Sequence, residues 1–240
     1  MTVQVDVALV PGEMPAVDGA GSLAVMIDVL RASTTMVTAL GNGAREIVPL
    51  KDLDEARSRH NREPEFLLGG ERNANPPPGF DLGNSPLEYT REKVGGRGII
   101  MTTTNGTAAL EAARLQGAGT ICVGAFVNRE AVVEFCLAND LPILLVCAGT
   151  KGRFSLEDAL CAGAIIQGLG PGAMLTDSAN ICLRLYQGVD SGNLREAVLQ
   201  SRHGQYLMDI GYSEDVGIAS QLDVSSVVPV YLEGRITQKA

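Results

Sequence analysis

"AVMIDVLRASTTMVTAL", residues 24–40, sets the architecture. An apolar run able to fill both faces of a strand meets a carboxylate at Asp28, passes a turn rich in hydroxyls, and continues as a helical pattern over 33–43. The same order recurs in "GIIMTTTNGTAALEAAR" (98–114), and "LLVCAGTKGRFSLEDAL" (144–160) is a third unit of the kind. Strands apolar on both faces belong to sheets covered on both sides. Strand, short loop and helix in repetition is the signature of α/β architecture, whose ligands sit at the carboxyl ends of the strands. Each unit also puts hydroxyls and free backbone N–H groups at a helix start, which suits an anion. Ordinary helix capping accounts for any one of them equally well.

The neighbouring segments follow suit. Residues 3–10, 22–30, 97–104 and 142–149 read as strands, with 120–125 a fifth and 46–50 and 65–70 shorter candidates. Helical patterns cover 105–117, 128–140 and 155–169, and residues 204–236 read as a helix, a turn, a second helix and a final strand. The expectation is a three-layer α/β/α fold with a largely parallel or mixed sheet. It forms one domain over 1–240, with two similar lobes divided near 85–120 as a variant. "GGERNANPPPGFDLGNSPLEYT" (69–90) breaks the pattern with three consecutive prolines. Long loops of this kind in compact domains are usually functional. This one leads to a helix expected to be capped by Ser85, with Asp81 and Asn84 fixing turns.

Composition narrows the class of function. Aromatic residues are 4% of the 240 and Trp is absent, so nothing suits stacking on single-stranded nucleic acid. The net charge of −9 opposes binding to a polyphosphate backbone. A small anionic ligand stays open if a local cluster of cations meets it. The five Cys are odd in number, lie in apolar runs and form no C-x-x-C pair, which indicates reduced thiols in a cytoplasmic protein. No run reaches the ~18 apolar residues of a membrane span. A homo-oligomer is compatible with all of this.

Several residues carry candidate chemistry. Asp28, read as lying inside a strand, is costly to bury unless paired or bound to a metal. It reads as a metal ligand or general base, with Arg31 on a phosphoryl oxygen, or as half of an internal Asp28–Arg31 salt bridge. Glu71 points to a cation and Arg72 to an anion by bidentate contact, unless they are a solvated surface pair. Glycines just before them let the backbone pass close to something. "TTTNGT" (102–107) offers a phosphate or sulfonate cradle, or a strand end with an Asn-Gly turn. Ser155 and Asp158 fit a capping box, which leaves Glu157 unexplained. Cys147 and Arg153 have the C-x-x-x-x-x-R spacing of a thiolate phosphatase, but Val146 and Phe154 stand where such enzymes carry His and Ser or Thr. "SRHG" (201–204) has the R-H-G triplet of histidine phosphatases in the wrong part of the chain. Two His in all exclude a His-rich zinc site.

Together "IDVLRASTT", "GGERNANPPPGFDLGNSPLEY", "TTTNGT" and "CAGTKGRFSLEDALCAGAI" resemble the 2-phosphosulfolactate phosphatase family, the ComB proteins, in the family's motif order over about residues 5–232. The resemblance implies an α/β fold distinct from other phosphatases. It also implies Mg²⁺-dependent hydrolysis of 2-phospho-3-sulfolactate to 3-sulfolactate and phosphate, in methanogens a step toward coenzyme M. Phosphate monoester hydrolysis needs accelerations up to roughly 10²¹-fold, beyond what hydroxyl cradles alone supply. On this reading Mg²⁺ sits on Asp28, Glu71 and one or both of Glu157 and Asp158. Arg31 and Arg72 hold the anionic groups, with Ser33, Thr34, Thr103, Thr104, Asn105, Gly106 and Thr107. The nucleophile is water activated by the metal or by Asp28, or Asp28 itself. A protein that binds a phosphorylated metabolite without cleaving it is the alternative from another class.

Overall fold

The structure is a computed structural model that describes residues 3–13, 21–189 and 193–238. Ten strands form one mixed sheet. In chain order, β1 (Gln4–Ala8) and β2 (Leu23–Ile27) precede α1 (Ala32–Gly41), β3 (Glu46–Leu50), α2 (Leu53–Arg62) and β4 (Leu67–Gly70). A short helix, α3 (Arg91–Val94), leads to β5 (Gly98–Thr102), α4 (Gly106–Leu115), β6 (Thr120–Gly124), α5 (Arg129–Asn139) and β7 (Ile143–Cys147). Then come α6 (Leu156–Leu169), β8 (Met174–Leu175), α7 (Asp177–Gln187), α8 (Leu194–Leu199), α9 (Arg202–Asp209) and α10 (Ser213–Ala219). The hairpin of β9 (Pro229–Leu232) and β10 (Arg235–Gln238) follows. All seven expected strands before residue 150 form, and the expected final strand is that hairpin.

Alternation along the strands builds the layers. Leu23, Val25 and Ile27 of β2 join one core with α5 to α10, while Ala24 and Met26 join the opposite core with α1, α3 and α4. β7 divides likewise, with Ile143 and Leu145 on one side and Leu144 and Val146 on the other. A third, smaller core under α2 takes Val48, Leu68 and Ile100. Every strand residue in β2, β5 and β7 is therefore buried, which is why those runs carry no polar alternation.

The strand order is β4-β5-β3-β10-β9-β6-β2-β7-β1-β8. The blocks β4-β5-β3 and β6-β2-β7-β1-β8 are each parallel inside. The C-terminal hairpin joins them by three antiparallel ladders, so the blocks run in opposite senses. In a flat sheet their carboxyl ends would point apart. Twist of roughly 20–25° per step, over the five steps from β5 to β2, turns one block by on the order of 100° relative to the other. The loops after β2, β4, β5 and β7 all border one cleft.

The loop after β4 does not run into a regular helix at Ser85. A single 3₁₀ turn, Pro86–Glu88, forms instead, and the Ser85 hydroxyl donates to Asp215 at 2.6 Å rather than capping.

Candidate active site

The cleft has a volume of about 830 Å³. Asp28 and Arg31 come from the loop after β2, Glu71 from the loop after β4, and Thr103, Thr104 and Asn105 from the loop after β5. The loop after β7 adds Lys151 and Arg153, the first turn of α6 adds Glu157, and α9 closes the side with Arg202 and His203.

Strand β2 stops at Ile27, so Asp28 stands just past the strand and not inside it. The chain leaves the sheet there because the Ser33 hydroxyl accepts from the Asp28 amide at 2.8 Å and Asp28 Oδ1 accepts from the Ala32 amide at 3.3 Å. Burial, with Glu71 and Glu157 nearby, pushes the Asp28 carboxyl up to about 7, against the Ala32 amide and Arg31. Gly106, at the start of α4, lets the loops close: a Cβ there would lie 3.0 Å from Asp28 Oδ2 and 3.0 Å from the Ala32 methyl.

Arg31 does not pair with Asp28. It donates to Asp215 on α10 at 2.8 Å and to the Ala74 carbonyl at 2.6 Å, and its guanidinium lies over the Tyr212 ring at 4.3 Å. Both partners of this ion pair are buried. Breaking such a pair by removing one side typically costs about 3–5 kcal/mol. Asp215 and Tyr212 thus fix the direction of the one deeply buried arginine in the cleft. Sequence reasoning missed both, because nothing in "GYSEDVG" marks one acid over its neighbour.

Glu71 and Arg72 part company. Glu71 Oε1 accepts from the amide and hydroxyl of Thr104 at 2.9 and 2.7 Å, and Oε2 accepts from the Ala74 amide at 2.9 Å, so it clamps two loops at the cleft wall. Arg72 points away, donating to the carbonyls of Glu71 and Lys51 and lining a separate surface hollow beside α2. Adjacent residues on an extended loop face opposite ways, and the expected anion contact from Arg72 is absent from the cleft. The neighbour that the preceding glycines approach is β5: a Cβ on Gly70 would meet the Thr102 carbonyl at 1.9 Å.

Asp158 also does other work than expected. Its two oxygens accept from the Val29 and Gly149 amides at 2.9 and 3.0 Å, so it ties the loop after β2 to the loop after β7. It forms no capping box with Ser155, whose hydroxyl shares a hydrogen bond with Thr150 at 2.8 Å. Burial raises the Asp158 carboxyl, helped by Glu157 and Asp28 and opposed by the two amides. Glu157 faces the cleft. Burial raises it too, against its own backbone amide and the hydroxyls of Ser201 and Ser155.

The hydroxyls divide in the same way. Ser33 and Thr34 are fully buried and serve the turn, Thr34 donating to the Val29 carbonyl at 2.9 Å. Thr107 donates to the Thr103 carbonyl at 2.7 Å, a helix-start bond. Thr103, Thr104 and Asn105 reach the cleft. Cys147 closes β7 with no exposure, and burial together with Asp158 pushes its thiol well above the ordinary range. A thiolate nucleophile needs an accessible, low-pKa sulfur, so the cysteine mechanism fails although Arg153 does line the cleft.

His203, from the discounted R-H-G triplet, stands half-buried in the cleft wall. Burial and Arg31 lower its pKa, against Glu71 and its bond to the Leu30 carbonyl. Asn84 lines the same cleft, and its buried Oδ1 has no hydrogen-bond partner. Such an orphaned oxygen, beside carboxylates that raise one another, suits a hard cation in kind. In number the set is short: among the described residues, no three His, Cys, Asp or Glu side chains form a group able to hold a metal ion alone.

A profile described as 2-phosphosulpholactate phosphatase matches residues 8–234. A protein of Thermotoga petrophila, called "Probable 2-phosphosulfolactate phosphatase", is 45% identical over 88% of this chain and 89% of its own length. Proteins given the same name from Symbiobacterium thermophilum and Clostridium tetani are 42% and 36% identical, covering 92% and 88% of this chain and 96% and 90% of their own.

Proposed function

The chain belongs to the 2-phosphosulpholactate phosphatase family of phosphoric monoester hydrolases, and from that membership we propose that it hydrolyses 2-phospho-3-sulfolactate to 3-sulfolactate and phosphate with the help of Mg²⁺. The observation that carries the reading is the meeting of Asp28, Glu157 and Arg31, from two different strand ends, in one cleft.

The four carboxylates differ in what they have left to give. Glu71 and Asp158 commit both oxygens to clamping separate loops together, whereas Asp28 is bonded through Oδ1 and Glu157, steadied by its own amide and the Ser155 and Ser201 hydroxyls, faces the cleft. Asp28 and Glu157 would hold the cation, with water and substrate oxygens completing the shell, as is usual for Mg²⁺. The ion would supply positive charge to the phosphoryl oxygens as the ester bond breaks. Arg31, locked by Asp215 and Tyr212, presents its remaining N–H donors to a phosphoryl oxygen without reorganising. The Thr103–Asn105 loop borders the same space, and the Asp28 carboxyl accepts the proton of the attacking water.

The test is release of inorganic phosphate from 2-phospho-3-sulfolactate as Mg²⁺ is titrated, with EDTA as the control. Saturable turnover abolished by EDTA is expected. Binding of the ester with no phosphate released at any Mg²⁺ concentration would make the protein a metabolite binder instead.

A further inference from the structure

Three cations at the mouth of the cleft have no counter-ion. Lys151, Arg153 and Arg202 are exposed and line the cleft, and among the described residues no carboxylate pairs with them. What sets them apart from other cations outside ion pairs is that all three line the cleft that holds Asp28 and Arg31.

Two of the three are mounted on a stiff support. Thr150 and Arg153 exchange backbone hydrogen bonds at 2.9 and 3.1 Å across a two-residue turn. The turn is pinned from both sides, by Asp158 on the Gly149 amide and by Asn105 on the Lys151 amide at 3.2 Å. Lys151 holds φ +53 at a position where Asn, Asp or Gly is the usual occupant of such a turn. A lysine kept against its backbone preference, in a pinned turn at a cleft mouth, indicates a requirement for its side chain. Arg202 comes from α9, whose next residue, His203, bonds the Leu30 carbonyl beside Arg31.

Depth separates these charges from the phosphate site. Asp28 and Arg31 are 6% and 3% exposed, whereas Lys151, Arg153 and Arg202 stand in solvent. A phosphate ester that reaches the buried groups leaves the rest of its skeleton at the mouth. We propose that Lys151, Arg153 and Arg202 form a second anion site that selects phosphate esters bearing a further sulfonate or carboxylate. The arginine forks match such planar or tripodal oxyanions. This assignment rests on the phosphatase reading and adds the part of the substrate that is not phosphate.

The experiment has a binding arm and a kinetic arm, on wild type and on the triple variant Lys151→Asn, Arg153→Gln, Arg202→Gln. Asn tolerates the left-handed backbone at 151, so the turn is kept while the charge is lost. By titration calorimetry the variant should bind 3-sulfolactate at least about tenfold more weakly and inorganic phosphate within about twofold of wild type. In turnover, KM for 2-phospho-3-sulfolactate should rise by about the same factor with kcat little changed, while kcat/KM for p-nitrophenyl phosphate stays within about twofold. Unchanged affinity for 3-sulfolactate, no binding of it by wild type, or an equal loss on both esters would overturn the second site. Wild type that binds 3-sulfolactate through these residues but cleaves neither ester would sink the phosphatase reading alone.

Discussion

Asp28 is held in the folded state with its carboxyl raised from 3.8 to about 7 by burial and by Glu71 and Glu157. Below about pH 4 it is protonated in both the folded and unfolded chains, and the penalty on its charge is absent. As pH rises toward 7 the unfolded chain ionises freely while the folded one resists, so stability falls across that window by up to about 4 kcal/mol. In EDTA, Asp28→Asn should therefore melt above wild type at pH 8, and the two should converge near pH 4. The same substitution should lower kcat/KM by about 10²–10⁴-fold, in keeping with loss of a proton acceptor. Cys147→Ala should leave kcat within a few-fold of wild type and cost only about 1–2 kcal/mol in a chemical denaturation curve. Asp28 and Arg31 could be picked out from sequence because charge next to an apolar run is expensive to bury. Lys151 and Arg202 could not, because an exposed cation on a turn or helix has the same composition whether it faces bulk water or a cleft. Arg72 was misread for a related reason: being next to Glu71 says nothing about which side of the loop it takes.

Gly106 opens α4 directly against the Asp28 carboxylate. Within a helix, replacing Gly by Ala is favourable by roughly 0.8–1 kcal/mol. Here the added methyl sits 3.0 Å from Asp28 Oδ2. Because that methyl also meets the Ala32 methyl at 3.0 Å, overpacking outweighs the propensity gain, so Gly106→Ala should lower the melting temperature by a few degrees and lower kcat by at least about tenfold, since small displacements of reacting groups are costly. A melting curve beside a rate measurement separates the two effects. The strands were readable because burial on both faces leaves an unbroken apolar run. Helix α2 was not, since of "LDEARSRHNR" only Ala56 is buried and there is no stripe to detect. The helix expected after Ser85 failed because Asp215, 130 residues away, claims the hydroxyl that would have capped it.

The two parallel blocks are joined through β9 and β10. Ile236 is fully buried and pairs with Ile47 where β10 meets β3, on the core face shared with Met36, Ile99 and Ile121. Ile236→Ala should cost about 2–5 kcal/mol and shift the midpoint of urea unfolding accordingly, with phosphate release at low urea unchanged. The α/β class follows from repeated strand–turn–helix units, each local in the chain. The opposed sense of the blocks does not, because it depends on pairing between residues such as Ile47 and Ile236 that no local pattern connects.

That hairpin has a consequence for how the molecule is made. Residues 229–238 leave the ribosome after every strand they bridge, so until then β3 and β6 each present an open edge, and the two blocks meet only through helices and loops such as α4 against β2. The nascent chain would leave those two edges open to pairing with a neighbouring polypeptide until its late-arriving ribbon docks.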